Sequence, residues 1–462
     1  VGSEMCIRDS SLLSLVDGVA TKVSNVSVSG TENGAVIKAS GQVEITEGES
    51  ILAGGFISEA EGVQIADSHV TNLKAVYAEA AKDKEGYAGG FVGRSHTGGL
   101  AGLAQEDKDG ALKLPGIVNV SGLLDLVPYL IPQYTNTTVT FCSANEEPQV
   151  KADYAGGFFG EMQSGKVDNS TRTEAYAVYG LEKVKGESHA GGFAGKVDAG
   201  ATASSNGLNL LGGILNLDIG QLLDVLQVYI PIIQSAGVKS TEKGFTVEAT
   251  DTDSYAGGYL GYGGGVQIKD SDVTSLKHTK VTPPGDSLES ANGDSYFGTD
   301  SQYAVKGGKY AGGYAGCVDI DSAAAVGGGL KLLGNIELTN LLKALDVVAS
   351  TIENSDVNGC VGGYSVLADG RDDKNQKLGK AGGFIGEMSG TIIKNSDANL
   401  FNYIIGREAA GGYAGIMEPG NVASVIEDAG ILDGLLNVTD SLASLVQSFI
   451  PIIEDSQTSS VP

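Results

Sequence analysis

A six-residue motif, Ala-Gly-Gly-aromatic-x-Gly, recurs along the chain and limits what it can fold into more than any other feature. Seven copies are complete, and an eighth has Ser58 in place of the last glycine. The copies begin at Ala53, Ala88, Ala155, Ala190, Ala256, Ala311, Ala381 and Ala410. Self-similarity of this kind indicates a repeat protein, in which each unit covers the apolar face of its neighbour.

The copies come in pairs. Starts at 53 and 88, and at 155 and 190, lie 35 residues apart, whereas 67 residues separate 88 from 155. The true unit is therefore roughly 100 to 125 residues long and carries two copies. The predicted organisation is a non-native leader over 1–10, the end of an incomplete unit over 11–52, and units over 53–154, 155–255, 256–380 and 381–462, the last of them truncated.

Short segments between the motifs alternate apolar and polar residues. The clearest are 63–70, 266–273 and 391–397, each with β-branched residues followed by Asp-Ser or Asn-Ser. This period of two predicts short strands that end in turns. A stacked layer needs a repeated series of a strand, a glycine turn, an aromatic residue and another strand.

The motif glycines and aromatics are predicted to be structural. A side chain in place of either glycine would block the turn or the neighbouring layer. The aromatic ring favours an internal ladder, with a sugar-stacking stripe as the alternative. The predicted structural residues are Gly54, Gly55, Phe56, Gly89, Gly90, Phe91, Gly156, Gly157, Phe158, Gly191, Gly192, Phe193, Gly257, Gly258, Tyr259, Gly312, Gly313, Tyr314, Gly382, Gly383, Phe384, Gly411, Gly412 and Tyr413.

Five apolar segments follow a helical period instead. Leu222, Val225, Leu226, Tyr229 and Ile230 lie on one face of a predicted helix, and the same template is filled over 12–20, 123–131, 341–349 and 442–450. Polar residues interrupt every long apolar run, so none is predicted to span a membrane. The stripes are expected to pack on the repeat, with docking to a partner or a membrane surface as the alternative.

Together these patterns predict a mostly β fold with short α inserts. We expect a repetitive right-handed β-solenoid, or β-helix-like array, decorated by amphipathic helices. A β-propeller is the rival fold, because some of its blades also carry a double glycine, but the uneven spacing of the motif and the absence of tryptophan argue against it.

Composition narrows the function. The net charge of −27 is spread along the chain, which disfavours nucleic acid as a partner because phosphate binding needs clustered Lys and Arg. The cysteines at 6, 142, 317 and 360 are widely separated, so neither a disulfide framework nor a zinc site is predicted. Acidic clusters at 106–109, 251–253 and 369–373 lack the spacing of a calcium loop.

Catalytic patterns are also missing from the sequence. The glycine-rich stretch 258–265 lacks the Lys-Ser/Thr end of a phosphate loop, and the four histidines are dispersed. The sequence therefore predicts no catalytic, cofactor-binding or metal-ligating residue and no cofactor, and it indicates that the protein is not an enzyme.

The segment from Gly382 to Gly415 resembles the GLUG-type repeats of bacterial surface proteins. It has a Gly-Gly-hydrophobic-x-Gly element over 382–386, a glycine-led strand with an Asn-Ser close over 390–396, and a second such element over 411–415. The likeness extends over most of 53–415. This sequence departs from the pattern in having an aromatic residue where leucine is usual, and in its long apolar inserts.

The resemblance implies an exported, Gram-positive type of surface protein that is often attached to the cell wall. The expected function is a non-catalytic structural or adhesive segment, with host or bacterial surface glycans or proteins as partners and any covalent wall attachment outside this sequence. The alternative is a β-helical protein that binds or degrades polysaccharide. Fold alone gives no activity, and the resemblance carries no catalytic residue to transfer.

Overall fold

The computed structural model describes residues 21–41, 50–80, 84–97, 105–106, 112–113, 131–144, 147–199, 230–279, 281, 302–320, 349–371, 378–420 and 450–461. These residues form strands joined by turns, and the strands lie in successive layers. Within each layer the chain passes through the same series of strands before it starts the next layer.

The first layer contains β1 (Thr21–Ser24), β2 (Ser27–Ser29), β3 (Ala35–Ser40), β4 (Ile51–Gly54) and β5 (Ile57–Glu61). The second contains β6 (Val63–Ala66), β7 (His69–Glu79), β8 (Gly86–Gly89) and β9 (Val92–His96), after which β10 (Gln105–Glu106) and β11 (Leu112–Lys113) form an antiparallel pair. The third contains β12 (Gln133–Thr135), β13 (Thr138–Phe141), β14 (Val150–Gly156) and β15 (Phe159–Gln163).

The fourth layer contains β16 (Lys166–Asp168), β17 (Tyr176–Tyr179), β18 (Lys183–Gly191) and β19 (Ala194–Asp198). The fifth contains β20 (Ile232–Gln234), β21 (Gly237–Lys239), β22 (Thr246–Ala249), β23 (Tyr255–Gly257) and β24 (Leu260–Gly264). The sixth contains β25 (Gln267–Lys269), β26 (Val273–Leu276), β27 (Val305–Gly307), β28 (Tyr310–Gly312) and β29 (Ala315–Asp319).

The seventh layer contains β30 (Thr351–Glu353), β31 (Val357–Gly359), β32 (Tyr364–Ala368), β33 (Lys380–Gly382) and β34 (Ile385–Ser389). The eighth contains β35 (Ile392–Lys394), β36 (Ala398–Gly406), β37 (Ala409–Gly411) and β38 (Ala414–Glu418). The last contains β39 (Ile452–Glu454) and β40 (Thr458–Ser460).

Equivalent strands of successive layers pair in parallel. A nine-stranded sheet runs in the order β1-β6-β12-β16-β20-β25-β30-β35-β39, and an eight-stranded sheet runs from β5 through β9, β15, β19, β24, β29 and β34 to β38. The remaining parallel strands form a network of 21 strands. Within it, the pairings β7-β13-β17-β21-β26-β31-β36-β32-β27-β22-β18-β14 return to β7 and close a circuit of twelve strands.

In-register apolar ladders hold the layers together. In the nine-stranded sheet one inward position carries, layer after layer, Val23, Ile65, Tyr134, Val167, Ile233, Ile268, Ile352, Ile393 and Ile453. The members of the interior layers are almost fully buried. β-Branched residues suit this position because they pack well on a pleated surface, and that is why the alternating segments form strands where they were predicted, at β6, β25 and β35.

The corners that follow eight of the nine strands in this sheet, all except β16, have their own ladder. The first residue of each corner has a left-handed φ, between +46° and +57°, which Asn and Asp tolerate best: Asn25, Asp67, Asn136, Ser235, Asp270, Asn354, Asn395 and Asp455. A serine often comes next, and its hydroxyl accepts a backbone hydrogen bond from the adjacent layer. The N–H of Ser271 donates to Oγ of Ser355 (3.1 Å), and the N–H of Ser355 donates to Oγ of Ser396 (3.1 Å).

The predicted fold class, a right-handed solenoid decorated by amphipathic helices, is wrong. The part of the chain that the structure describes contains strands and turns but no helix, and its parallel sheets include the closed circuit of twelve strands. Most of each predicted helix lies outside the described residues. Four of these segments reach the described residues only at their last position, Ile131, Ile230, Ala349 and Ile450.

The physical reason is visible where the apolar run 222–230 ends. Pro231 interrupts helical hydrogen bonding, and the residues after it form β20, in which Ile233 is fully buried in the apolar ladder. Backbone pairing to β16 and β25 and burial of a β-branched side chain therefore decide the local structure there.

The layers also continue across the predicted units. The boundaries after residues 154, 255 and 380 fall inside β14, β23 and β33. Each of these strands pairs with a strand in the layer before it and a strand in the layer after it.

Candidate functional site

The motif glycines lie where β4, β8, β14, β18, β23, β28, β33 and β37 end and the chain turns into the eight-stranded sheet. The first glycine of every motif pairs in register with its counterparts, so the structure brings all eight together in one row: Gly54, Gly89, Gly156, Gly191, Gly257, Gly312, Gly382 and Gly411. A Cβ on Gly156 would lie 1.9 Å from the carbonyl oxygen of Phe159. The backbone of the turn therefore occupies the space that a side chain would need.

The second glycine faces the next layer. A Cβ on Gly157 would lie 2.1 Å from the carbonyl oxygen of Gly192, and the N–H of Gly157 donates to that oxygen at 3.1 Å. The same approach recurs in the other copies, except at Gly412 in the last of them, where a Cβ would meet only the ring of Phe401 at 3.8 Å. Close contact between layers, rather than an unusual φ, excludes a side chain here.

The motif aromatics form an internal stack, which we call the inner ladder, as their position between small residues predicts. Neighbouring ring centroids lie between 4.7 and 5.4 Å apart through Phe56, Phe91, Phe158, Phe193, Tyr259, Tyr314, Phe384 and Tyr413. The six rings between the end members have no solvent exposure. A sugar could not stack on them without opening the fold.

The tyrosines of the inner ladder also satisfy corner carbonyls. The hydroxyl of Tyr259 donates to the carbonyl oxygen of Ala236 (3.0 Å), and that of Tyr314 donates to Ser271 (2.8 Å). Burial raises the pKa of both hydroxyls well above the usual tyrosine value, so they remain protonated donors.

A second ring stack lies within β8, β14, β18, β23 and β28 and outside the hydrophobic core cluster, and we call it the outer ladder. It consists of the residue that precedes each of five motifs: Tyr87, Tyr154, His189, Tyr255 and Tyr310. Adjacent centroids are 4.6 to 5.0 Å apart. Although these side chains lie outside that cluster, Tyr87 and Tyr310 are only 3% and 5% exposed.

Charged residues of the eight-stranded sheet cover the outer ladder. Glu161 forms an ion pair with Arg94 at 3.0 Å and accepts a hydrogen bond from Lys196 at 3.2 Å, and its side chain is 3% exposed. Lys196 also pairs with Asp198 at 2.8 Å. Burial opposes the charge of Lys196, but the carboxylates of Asp198 and Glu161 outweigh this effect and raise its pKa. The guanidinium of Arg94 lies 5.2 Å from the centre of the Tyr87 ring.

We call the outer ladder and this charged row together the seam. The row consists of the residues that directly follow successive motifs, Arg94, Glu161 and Lys196, and it continues through Tyr262 and Cys317 to Glu387. Sequence reasoning missed it. The available signal was the alternation of charge at one motif position, from arginine to glutamate to lysine, in consecutive copies.

His189 is the one ring of the outer ladder that titrates near neutral pH when exposed. It is stacked between Tyr154 and Tyr255, at 4.8 and 4.6 Å, and its Nδ1 lies 2.8 Å from Oγ of Ser188. Burial, assisted by the charge of Lys196, lowers the pKa of His189 to about 3. The folded protein therefore holds a neutral imidazole.

This shift predicts an acid sensitivity that one substitution removes. An unfolded histidine binds a proton below about pH 6.5, whereas the folded one does not until about pH 3. The stability contributed by neutral His189 is thus full above pH 6.5 and is lost as the pH falls towards 3. His189→Tyr restores the residue found in the neighbouring layers and removes this loss. As the pH falls from 7.5 to 5, the free energy of unfolding of the variant should rise by about 1 to 2 kcal/mol relative to that of the wild type.

The measurement is the free energy of unfolding in denaturant for both proteins at each pH. Because every other titrating group is shared, the difference between the two curves isolates His189. A difference that does not change with pH would contradict the buried neutral imidazole.

The remaining candidates from the sequence lie apart from one another. His69 bonds Thr138 (2.9 Å) and His96 bonds Glu59 (3.1 Å). Cys142, Cys317 and Cys360 form no disulfide with any described residue. In the described part of the chain, no group of three or more His, Cys, Asp or Glu residues is arranged to hold a metal ion. The same ranges contain no helix with the length and apolarity needed to cross a membrane.

Comparison with protein-family models, with curated proteins and with solved structures finds no match to this chain. The resemblance to GLUG-type repeats therefore stays a prediction from the sequence.

Proposed function

We propose that this chain is a non-catalytic structural segment of a bacterial surface protein, which spaces or presents an adhesive region. The observation that carries the proposal is the register of the layers. The apolar ladder, the motif glycines, the inner ladder and the corner residues repeat in the same order along the stack. At the usual spacing of parallel strands, nine layers extend about 40 Å.

The polar groups of the seam support the same function. Arg94, Glu161 and Lys196 lie on successive layers and pair across them, and Asp198 pairs with Lys196 within one layer. These pairs fix the register of one layer on the next, because a shift of the layers would leave the buried carboxylate of Glu161 without its partners. Display outside the cell, and glycans or proteins of a host or a neighbouring bacterium as partners, follow from the resemblance to GLUG-type repeats.

Removing two layers in register tests the spacer function. Deletion of 155–255 joins Tyr154 directly to Ala256. Tyr154 and Tyr255 occupy the same register position, so the new junction is equivalent to the natural junction of Tyr255 with Ala256. The shortened protein should fold cooperatively and be about 10 Å shorter in electron micrographs of single particles. A matched control, deletion of 155–238, joins positions that are not equivalent and should not fold.

Two results would contradict the proposal. An in-register deletion that does not fold would show that the layers are not interchangeable spacers. Release of reducing ends from a bacterial or host polysaccharide by the purified chain would favour the degrading enzyme instead. Protease treatment of intact source cells tests location, since a displayed segment is cleaved and an internal one is protected.

A further inference from the structure

Three aspartates occupy one position in three successive layers, directly after the corner serine. We call Asp272, Asp356 and Asp397 the carboxylate row. Oδ1 of Asp272 accepts from the N–H of Asp356 (2.9 Å), and Oδ1 of Asp356 accepts from the N–H of Asp397 (2.8 Å). Oδ1 of Asp397 accepts in turn from the N–H of Gln457 (2.7 Å). Each carboxylate is thus held at the distance between layers, about 4.8 Å, from the next.

The surroundings of the row add negative charge. All three side chains are half-buried. Asp270 acts on Asp272 from the same corner, and Asp356 acts on it from the adjacent layer. On the core side lie the hydroxyls of the fully buried Tyr314 and the half-buried Tyr413, which stay protonated because burial raises their pKa values. Like charges at this separation repel, and partial burial strengthens the repulsion.

Proton binding therefore relieves a strain in the folded protein. Burial, together with the neighbouring carboxylates, raises the pKa of Asp272 and of Asp356 above the ordinary aspartate value, although the backbone N–H of the next layer acts in the opposite direction. For a carboxyl group with a raised pKa, the folded state gains stability at acidic pH. It loses that stability as the pH rises from the ordinary value through the raised one.

We propose that the carboxylate row is a pH-sensitive stabilising device for the last four layers: protons held by Asp272 and Asp356 strengthen the stack in mildly acidic surroundings, and mutual repulsion of the three carboxylates weakens it at neutral pH and above. The device is independent of the proposed spacer function, because it concerns only the stability of these layers.

Asp356→Asn tests it. Asparagine keeps the side-chain oxygen that accepts from Asp397 and removes the central charge. In thermal unfolding of the full chain at pH 8, the variant should melt about 2 °C or more above the wild type, and the gain should shrink or vanish at pH 4.5. Asp272→Asn should act in the same direction. His189 destabilises both the variant and the wild type at acidic pH. The difference between their melting temperatures at each pH is therefore free of its contribution.

The matched control is Asp455→Asn. It removes the same charge at the same end of the stack, from an exposed corner position that is asparagine in the two preceding layers. Because this position is exposed, the change that Asp455→Asn makes in the melting temperature should vary less with pH than the change that Asp356→Asn makes. The proposal is overturned if Asp356→Asn lowers the melting temperature at pH 8, if its effect is equal at pH 4.5 and pH 8, or if it does not fold at either pH.

Discussion

Alanine in place of Gly157 is expected to destabilise the chain by more than about 3 kcal/mol, because the added methyl group has no space. Its Cβ would lie 2.1 Å from the carbonyl oxygen of Gly192 in the next layer, and backbone cannot move aside as a flexible side chain can. The turn must therefore open, which disrupts hydrogen bonds between the layers on that side. Denaturant unfolding of the full chain measures the loss.

Gly412→Ala is the matched control. Gly412 holds the same motif position in the last copy, where a Cβ would make only an ordinary contact with Phe401, at 3.8 Å. The expected loss is therefore below about 1 kcal/mol, the usual cost of a tolerated substitution. Equal losses at the two positions would show that glycine is needed for the conformation of the turn and not for the close approach of layers.

Phe193→Ala is expected to destabilise the chain by about 3 to 5 kcal/mol, since it leaves a cavity in the inner ladder. Phe193 has no solvent exposure, stacks on Tyr259 at 4.8 Å and on Phe158 at 5.4 Å, and meets Phe159 edge-on at 5.7 Å. The loss should appear in calorimetry as a lower melting temperature.

Phe56→Ala provides the comparison for that prediction. Phe56 begins the inner ladder, is partly exposed and stacks on a single ring, that of Phe91 at 4.7 Å. Because less apolar surface leaves water there, its loss should be about half that of Phe193→Ala or smaller. If Phe56→Ala proved the more damaging, the ladder would contribute less to stability than the first layer itself.

Much of this architecture could be predicted from the sequence because its causes are local and repeated. Alternating β-branched residues indicated β6, β25 and β35, and the double glycine with its aromatic residue indicated a turn between strands with the ring facing inwards. Such signals depend on residues next to each other in the chain, and they could be recognised because each occurs in several copies. The corner aspartates and asparagines carry the same kind of signal, since few other residues adopt a left-handed φ.

What joins distant layers was decided only by the tertiary structure. Parallel pairing brings Glu161 between Arg94 and Lys196, which lie 67 residues before it and 35 residues after it, and the alternation of charge becomes meaningful only once the layers are stacked. The closed circuit of twelve strands likewise arises because β7 and β36 each pair with two rows of strands. The strand that follows the apolar run 222–230 was also fixed by partners far away in the chain, because β20 pairs with β16 and β25 and buries Ile233 in the apolar ladder.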